Sequence, residues 1–200
     1  MIRLYGMTGS GNCWKPAAAL QMLGIAYDWI EIDSVGGETR RAPFLALNPN
    51  GRVPLLQLAD GRLLAESNAM LCYLAEGTPL LPPPGYERAK VLEWMFFEQY
   101  SHEPFVATVR FWIHYLGKRE EWREKIAEAR VKGYAALGVM ETALGKSAFL
   151  AGETFSIADI ALYAYTHVAD QGDFDLAAYP GIRTWLTRCE AQPGFRSMRS

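Results

Sequence analysis

The chain has little cysteine, and what it has is scattered. Cys13, Cys72 and Cys189 are the three thiols among 200 residues. An odd, widely spaced set excludes a secreted disulfide framework, and the absence of a CxxC or CxxxH pair leaves no sequence signal for zinc. No apolar run reaches the roughly 20 residues of a membrane span. The start, Met1-Ile2-Arg3-Leu4-Tyr5-Gly6, lacks the basic-then-apolar pattern of a signal peptide. Charge of one sign is lacking as well: 20 Lys and Arg against 22 Asp and Glu leave −2, and residues 1–85 and 86–200 are each −1. No positive field is present to hold a nucleic acid. These absences predict a cytoplasmic chain with reduced thiols, no metal, no nucleic-acid partner and no membrane. Apolar side chains are plentiful, at 50% hydrophobic and 12% aromatic, which predicts a sizeable core and argues against disorder.

Up to residue 76 the pattern alternates between short apolar runs and helical spacing. Ile2–Tyr5 reads as a strand, Cys13–Leu23 as a helix with Ala17, Leu20 and Leu23 on one face, and Tyr27–Ile32 as a second strand with Tyr27, Trp29 and Glu31 on one face and Ile30 and Ile32 on the other. A short helical piece over Arg41–Leu47 ends at Asn48-Pro49-Asn50-Gly51, which is turn chemistry. Val53–Leu58 and Arg62–Ala65, joined by Asp60-Gly61, predict a hairpin, and a helix follows from Ser67 to Leu74. Strand–helix–strand requires a parallel pair and the hairpin adds antiparallel strands, so a small mixed sheet with helices is expected. The stretch 77–86 holds three consecutive prolines and reads as a stiff linker. Beyond it strand signals vanish. Glu87–Leu116, Glu121–Leu144, Ser156–Ala169 and Pro180–Gln192 all carry helical patterns. The expected architecture is therefore α/β plus all-α, with domains at 1–77 and 86–200.

Three local features could carry chemistry. Thr8-Gly9-Ser10-Gly11-Asn12-Cys13 lies between the first strand and first helix, where free backbone N–H groups and a partial positive charge suit an anion. The same residues would serve as an ordinary turn with Asn12 as helix cap, and they lack the GxxxxGK[ST] pattern of a nucleotide loop. Ser10-x-x-Cys13 has serine at the first position of a Cys-x-x-Cys, so a two-thiol redox cycle is unavailable, yet a hydroxyl there could donate to a bound thiolate. Arg52-Val53-Pro54 opens a strand. A cis Val53-Pro54 bond would turn the Val53 N–H and C=O toward an extended peptide, and a trans edge-strand proline is the alternative. Glu66-Ser67 starts the next helix: Ser67 reads as an N-cap, and the pair would also grip an amino-acid head, its carboxylate on the helix end and its ammonium on Glu66.

In this order the pieces resemble the cytosolic glutathione transferases, over residues 1 to about 192. The resemblance rests on Ser10-Gly11-Asn12-Cys13, on Asn48-Pro49-Asn50-Gly51-Arg52-Val53-Pro54, on Glu66-Ser67 with Ala69-Met70-Leu71-Cys72-Tyr73-Leu74, and on Phe155-Ser156-Ile157-Ala158-Asp159. Ser156 and Asp159 are also legible as a capping box. The resemblance implies a thioredoxin-like N-terminal domain followed by an all-helical C-terminal domain, assembled as a homodimer. It implies glutathione as co-substrate and a small hydrophobic electrophile as its partner. Val53, with Pro54, would hold the tripeptide's cysteinyl backbone, and Glu66 with Ser67 its γ-glutamyl end. Arg40 or Arg41 would reach the glycyl carboxylate, and Arg52 would also contact glutathione. Ser10 would stabilise the thiolate, with Asn12 as the rival. Tyr5 belongs to the sheet, and Cys13 is expected to be packed rather than nucleophilic. In the helical half, Tyr100, His102 and Phe105 are expected to line the electrophile site. Disulfide reduction or peroxidase chemistry on the same site, or a non-catalytic binding module, are the alternatives to conjugation.

Overall fold

A computed structural model describes residues 1–198. The first unit comprises Met1–Glu76 together with the C-terminal residues from Pro193. Its elements are β1 (Ile2–Gly6), α1 (Gly11–Met22), β2 (Tyr27–Glu31), a 3-10 turn (Glu38–Arg40), α2 (Ala42–Leu47), β3 (Leu55–Gln57), β4 (Leu63–Ala65) and α3 (Ser67–Ala75). The sheet runs β2-β1-β3-β4, with β1 parallel to β2 and the other pairs antiparallel. This is the mixed sheet expected of a thioredoxin-like domain. The register pairs Gly6 with Glu31, so the chain enters the β1–α1 loop beside the end of β2.

Period-2 alternation decides which face of the sheet is covered. Ile30 packs with buried Ile32, Phe44 and Leu55, joined by Tyr5, Leu47, Val53 and Ala65. Trp29 and Glu31 point the other way. Tyr5 is a sheet residue whose hydroxyl donates to Gln57 Oε1 at 3.2 Å. α1 is buried from Cys13 to Leu20.

The second unit spans Gly77–Gln192 and is helical. α4 (Tyr86–Phe97) continues through a π turn (Glu98–His102) into α5 (Glu103–Arg110) and a second π turn (Phe111–Tyr115). α6 (Arg123–Leu144), α7 (Ile157–Thr166), a 3-10 turn (Ala169–Gly172) and α8 (Pro180–Glu190) follow. α7 is buried along its whole length. Its start is the expected capping box: Ser156 Oγ accepts from Ala158 N–H at 3.3 Å, and Asp159 Oδ2 accepts from Ser156 N–H at 2.9 Å. Asp159 does more than cap. Its Oδ1 accepts from the Trp185 indole at 2.9 Å and from Leu150 N–H at 3.0 Å, tying α8 and the preceding loop to α7.

The C-terminal segment belongs with the first unit, not the helical one expected to extend to residue 200. Trp14 Nε1 donates to Arg196 C=O at 2.9 Å, and the Phe195 ring meets Trp14 edge-on at 5.4 Å. A single aromatic near the chain end has no helical period to announce it, so the return is invisible to pattern reading.

Candidate functional site

The loop after β1 is built around the start of α1. Ser10, in extended backbone, is the N-cap, and its Oγ accepts from Cys13 N–H at 3.4 Å. The cap is thus Ser10 and not Asn12. Ser10 N–H donates to Met7 C=O at 3.1 Å, closing the turn, and Gly9 supplies the positive φ of 81° that the turn needs. Cys13 is buried, with its Sγ accepting from Met7 N–H at 3.4 Å. Burial pushes its thiol up to about 11, although hydrogen bonds from the Ser10 hydroxyl and Met7 pull the other way. Such a thiol is not a nucleophile at neutral pH.

Asn12 and Ser67 meet: Ser67 Oγ donates to Asn12 Oδ1 at 3.5 Å. This corrects the expected cap. Ser67 is the first residue of α3, buried, and makes no capping bond; Glu66 holds the cap position. Glu66 takes φ 68° and ψ 112°, in a region costly for a side-chain-bearing residue. Strain of this kind, on the order of 1–3 kcal/mol, gathers at ligand sites. The Glu66 carboxylate is exposed while Ser67 is packed, so adjacent residues face different surroundings. Further along α1, buried Lys15 reaches Asn68 Oδ1 at 3.4 Å, a second bond between α1 and α3.

The turn before β3 is organised by buried Asn48. Its Nδ2 donates to Arg52 C=O at 2.8 Å and its Oδ1 accepts from Asn50 N–H at 3.1 Å. This delivers the chain to Val53-Pro54, whose peptide bond is cis. Val53 is half-buried and Pro54 buried, whereas Arg52 is exposed. Arg40 donates to Asn50 C=O at 3.3 Å and lies against the turn, and Arg41 is exposed. The turn at Gly51 has φ 60°, and a Cβ there would come within 2.9 Å of both Arg40 Nη1 and Thr39 O. Glycine is required for that approach.

In the helical unit the three expected electrophile residues are not brought together. Tyr100 and Phe105 line a groove of about 620 Å3 with Phe97, Pro104, Lys132 and Val139. His102 instead is fully buried, with its Nε2 paired to Thr166 Oγ1 at 3.0 Å. The π turn that carries both Tyr100 and His102 sends the first outward and the second into the core. Among the described residues no group of three His, Cys, Asp or Glu could hold a metal, and no helix is long and apolar enough to cross a membrane.

Sequence reasoning passed over Glu31 and Trp29, which form a hydrogen-bonded cluster with Thr8 at the start of the Ser10 loop. The only signal was the placement of Trp29 and Glu31 on one strand face.

Comparison with known proteins follows the same division. A family model described as the glutathione S-transferase N-terminal domain matches residues 4–83, and the C-terminal domain of the same family matches residues 95–193. Glutathione S-transferase 3 of Zea mays is 32% identical over 98% of this chain and 91% of its own. The disulfide-bond oxidoreductase YfcG of Escherichia coli K12 is 31% identical over 96% of this chain and 92% of its own. The crystal structure of a glutathione S-transferase from Pseudomonas fluorescens Pf-5 superposes with a TM-score of 0.97 at 50% identity. It covers 100% of this chain and 99% of that one.

Proposed function

The chain belongs to the glutathione S-transferase family, and from that premise we propose that it conjugates the thiolate of glutathione to small hydrophobic electrophiles in the cytoplasm. The observation that carries this reading is the Ser10 hydroxyl, fixed as the N-cap of α1 at the end of the loop after β1. A free thiol with a pKa near 8.5 is only a few per cent ionised at neutral pH. Bringing it to about 6.5 takes roughly 2.7 kcal/mol of differential stabilisation. One hydroxyl donor and a helix N-terminus together supply an effect of that order. Ser10 donates to the thiolate, with Asn12 two residues on as the secondary donor.

Val53 and Pro54 hold the cysteinyl backbone of the tripeptide. Glu66 and Ser67 receive its γ-glutamyl end, where the strained backbone of Glu66 presents the carboxylate to solvent. Arg40 or Arg41 meets the glycyl carboxylate, and Arg52 also contacts glutathione. Tyr100 and Phe105 remain assigned to the electrophile, because their groove has the volume of a small-molecule site; His102, packed against Thr166, leaves the assignment. The chain acts as a homodimer. Phe96 on α4 and Val131 on α6, each 71% exposed, lie outside that groove. A second copy covers this apolar face.

Ser10→Ala tests the reading. The bound thiol's pKa should rise and turnover should fall roughly 10- to 1000-fold, as when other anion-stabilising donors are lost. Glutathione affinity should change little, and Asn12→Ala should do less. A larger effect from Asn12→Ala reassigns the donor. The name of the Escherichia coli relative makes glutathione-dependent disulfide reduction the second reading. A panel of halide, epoxide and disulfide substrates separates it from conjugation: turnover of disulfides alone would replace the first reading by the second.

A further inference from the structure

The loop that carries Ser10 is held on its outer side by a carboxylate from another strand. Glu31 is the last residue of β2, and the parallel register sets it opposite Gly6, where the chain leaves β1. Its Oε1 accepts from Thr8 N–H at 2.8 Å and its Oε2 from Thr8 Oγ1 at 2.7 Å. The Trp29 indole donates to the same Oε2 at 2.6 Å and so sets the direction of the carboxylate. The Trp29 ring in turn lies against Gly6: a Cβ there would come within 2.5 Å of it. Any larger residue at position 6 would displace the ring and the carboxylate with it.

Two further restraints on the loop come from within it. Met7 N–H bonds to Cys13 Sγ, and Ser10 N–H bonds to Met7 C=O. Thr8 is thus the point at which the turn is gripped from outside, two residues before the hydroxyl assigned to the thiolate. Partial burial works against ionisation of Glu31. The bonds from the Thr8 N–H, the Trp29 indole and the Thr8 hydroxyl outweigh it and hold the carboxyl below its ordinary range. The clasp is therefore charged, and its bonds charge-assisted, at neutral pH.

We propose that Glu31 is a positioning residue for the thiolate chemistry: its carboxylate, aimed by Trp29, clasps Thr8 and fixes the direction in which Ser10 presents its hydroxyl. This rests on the assignment of Ser10 made above. A donor hydrogen bond to a developing charge is sensitive to small displacements, and misplacement by about 1 Å costs up to roughly 100-fold. The clasp restrains one side of the loop only, so a smaller loss is expected.

The test uses the full chain carrying Glu31→Leu, Glu31→Gln, Thr8→Val, Ser10→Ala, and the double Ser10→Ala/Glu31→Leu. The readouts are the pKa of bound glutathione from its thiolate ultraviolet absorbance, glutathione affinity by calorimetry, and kcat. Glu31→Leu should raise the bound thiol's pKa and lower kcat about tenfold, with glutathione affinity within about twofold. Glu31→Gln keeps an oxygen for Thr8 N–H and should recover most of the loss. Thr8→Val should fall between, and both stand in if Glu31→Leu does not fold. The double variant should be no worse than Ser10→Ala alone, because the aim of a missing hydroxyl is immaterial. If Ser10→Ala raises the thiol pKa while the Glu31 and Thr8 variants leave it unchanged, or if the double variant is additive, Glu31 is only a strand-end carboxylate and the inference fails. If Ser10→Ala leaves the pKa unchanged, the Ser10 assignment fails first and overturns this one with it.

Discussion

Asp159→Ala removes one carboxylate and strands three donors in the core of the helical unit: Leu150 N–H, Ser156 N–H and the Trp185 indole. Their residues are 3%, 3% and 0% exposed, so water does not replace the lost acceptor. Each buried donor left without a partner costs about 1–3 kcal/mol. The sum is roughly 3–9 kcal/mol, several times the ~1 kcal/mol of a lost helix cap, and a large part of the stability of an ordinary domain. Asp159→Asn keeps an oxygen for Leu150 and Trp185 and should cost less. Its pH dependence isolates the charge. Burial pushes the Asp159 carboxyl from 3.8 to about 6, against hydrogen bonds from Leu150, Trp185 and Ser156. A folded-state pKa above the unfolded one means the native protein binds the proton more tightly. The stability from this group is therefore complete below about pH 4 and is lost as pH rises through 6, about 3 kcal/mol across that window. Denaturant unfolding followed by tryptophan fluorescence, from about pH 4 to 7, gives the difference between the native chain and Asp159→Asn. The native chain's advantage should shrink with rising pH by about that amount. An advantage that stays flat or grows would refute a desolvated carboxylate.

Two further outcomes follow from burial and exposure. Cys13, its thiol pushed up to about 11, should resist iodoacetamide at neutral pH while the protein is folded, and Cys13→Ser should keep turnover within about threefold; rapid alkylation with loss of activity would make Cys13 a participant. The native chain should sediment as a dimer at micromolar concentration, and Val131→Glu, which charges a side chain 71% exposed on the proposed shared face, should shift it toward monomer; a monomeric native chain would refute the assembly.

Much of the fold was legible because its determinants are local. Alternation in β2 separated Ile30 and Ile32 from Trp29 and Glu31, and glycine and proline punctuated the elements where chain reversal requires them. The capping box at Ser156 and Asp159 was readable because both partners lie within one helical turn. The same locality explains where pattern reading stopped. Ser67 has the residue type of a cap, but the cap position falls one residue earlier, on the strained backbone of Glu66, and the Ser67 hydroxyl lies beside Asn12, 55 positions away in the chain.

What the amino-acid order determined by itself was element type, the two-part organisation, the serine before α1 and the Val-Pro and Glu-Ser pairs. Tertiary structure decided the rest. It placed Trp185 on Asp159, brought Phe195 back to Trp14, turned His102 inward, and set Glu31 against Thr8. It also decided that Cys13 is buried and its thiol pushed up to about 11, because the ionisation of a thiol depends on how much water its surroundings exclude. Propensity, capping and turn chemistry act over one turn of chain and so are written in neighbouring residues. Desolvation and cross-element hydrogen bonds depend on which distant side chains share a volume, and that is settled only when the elements pack.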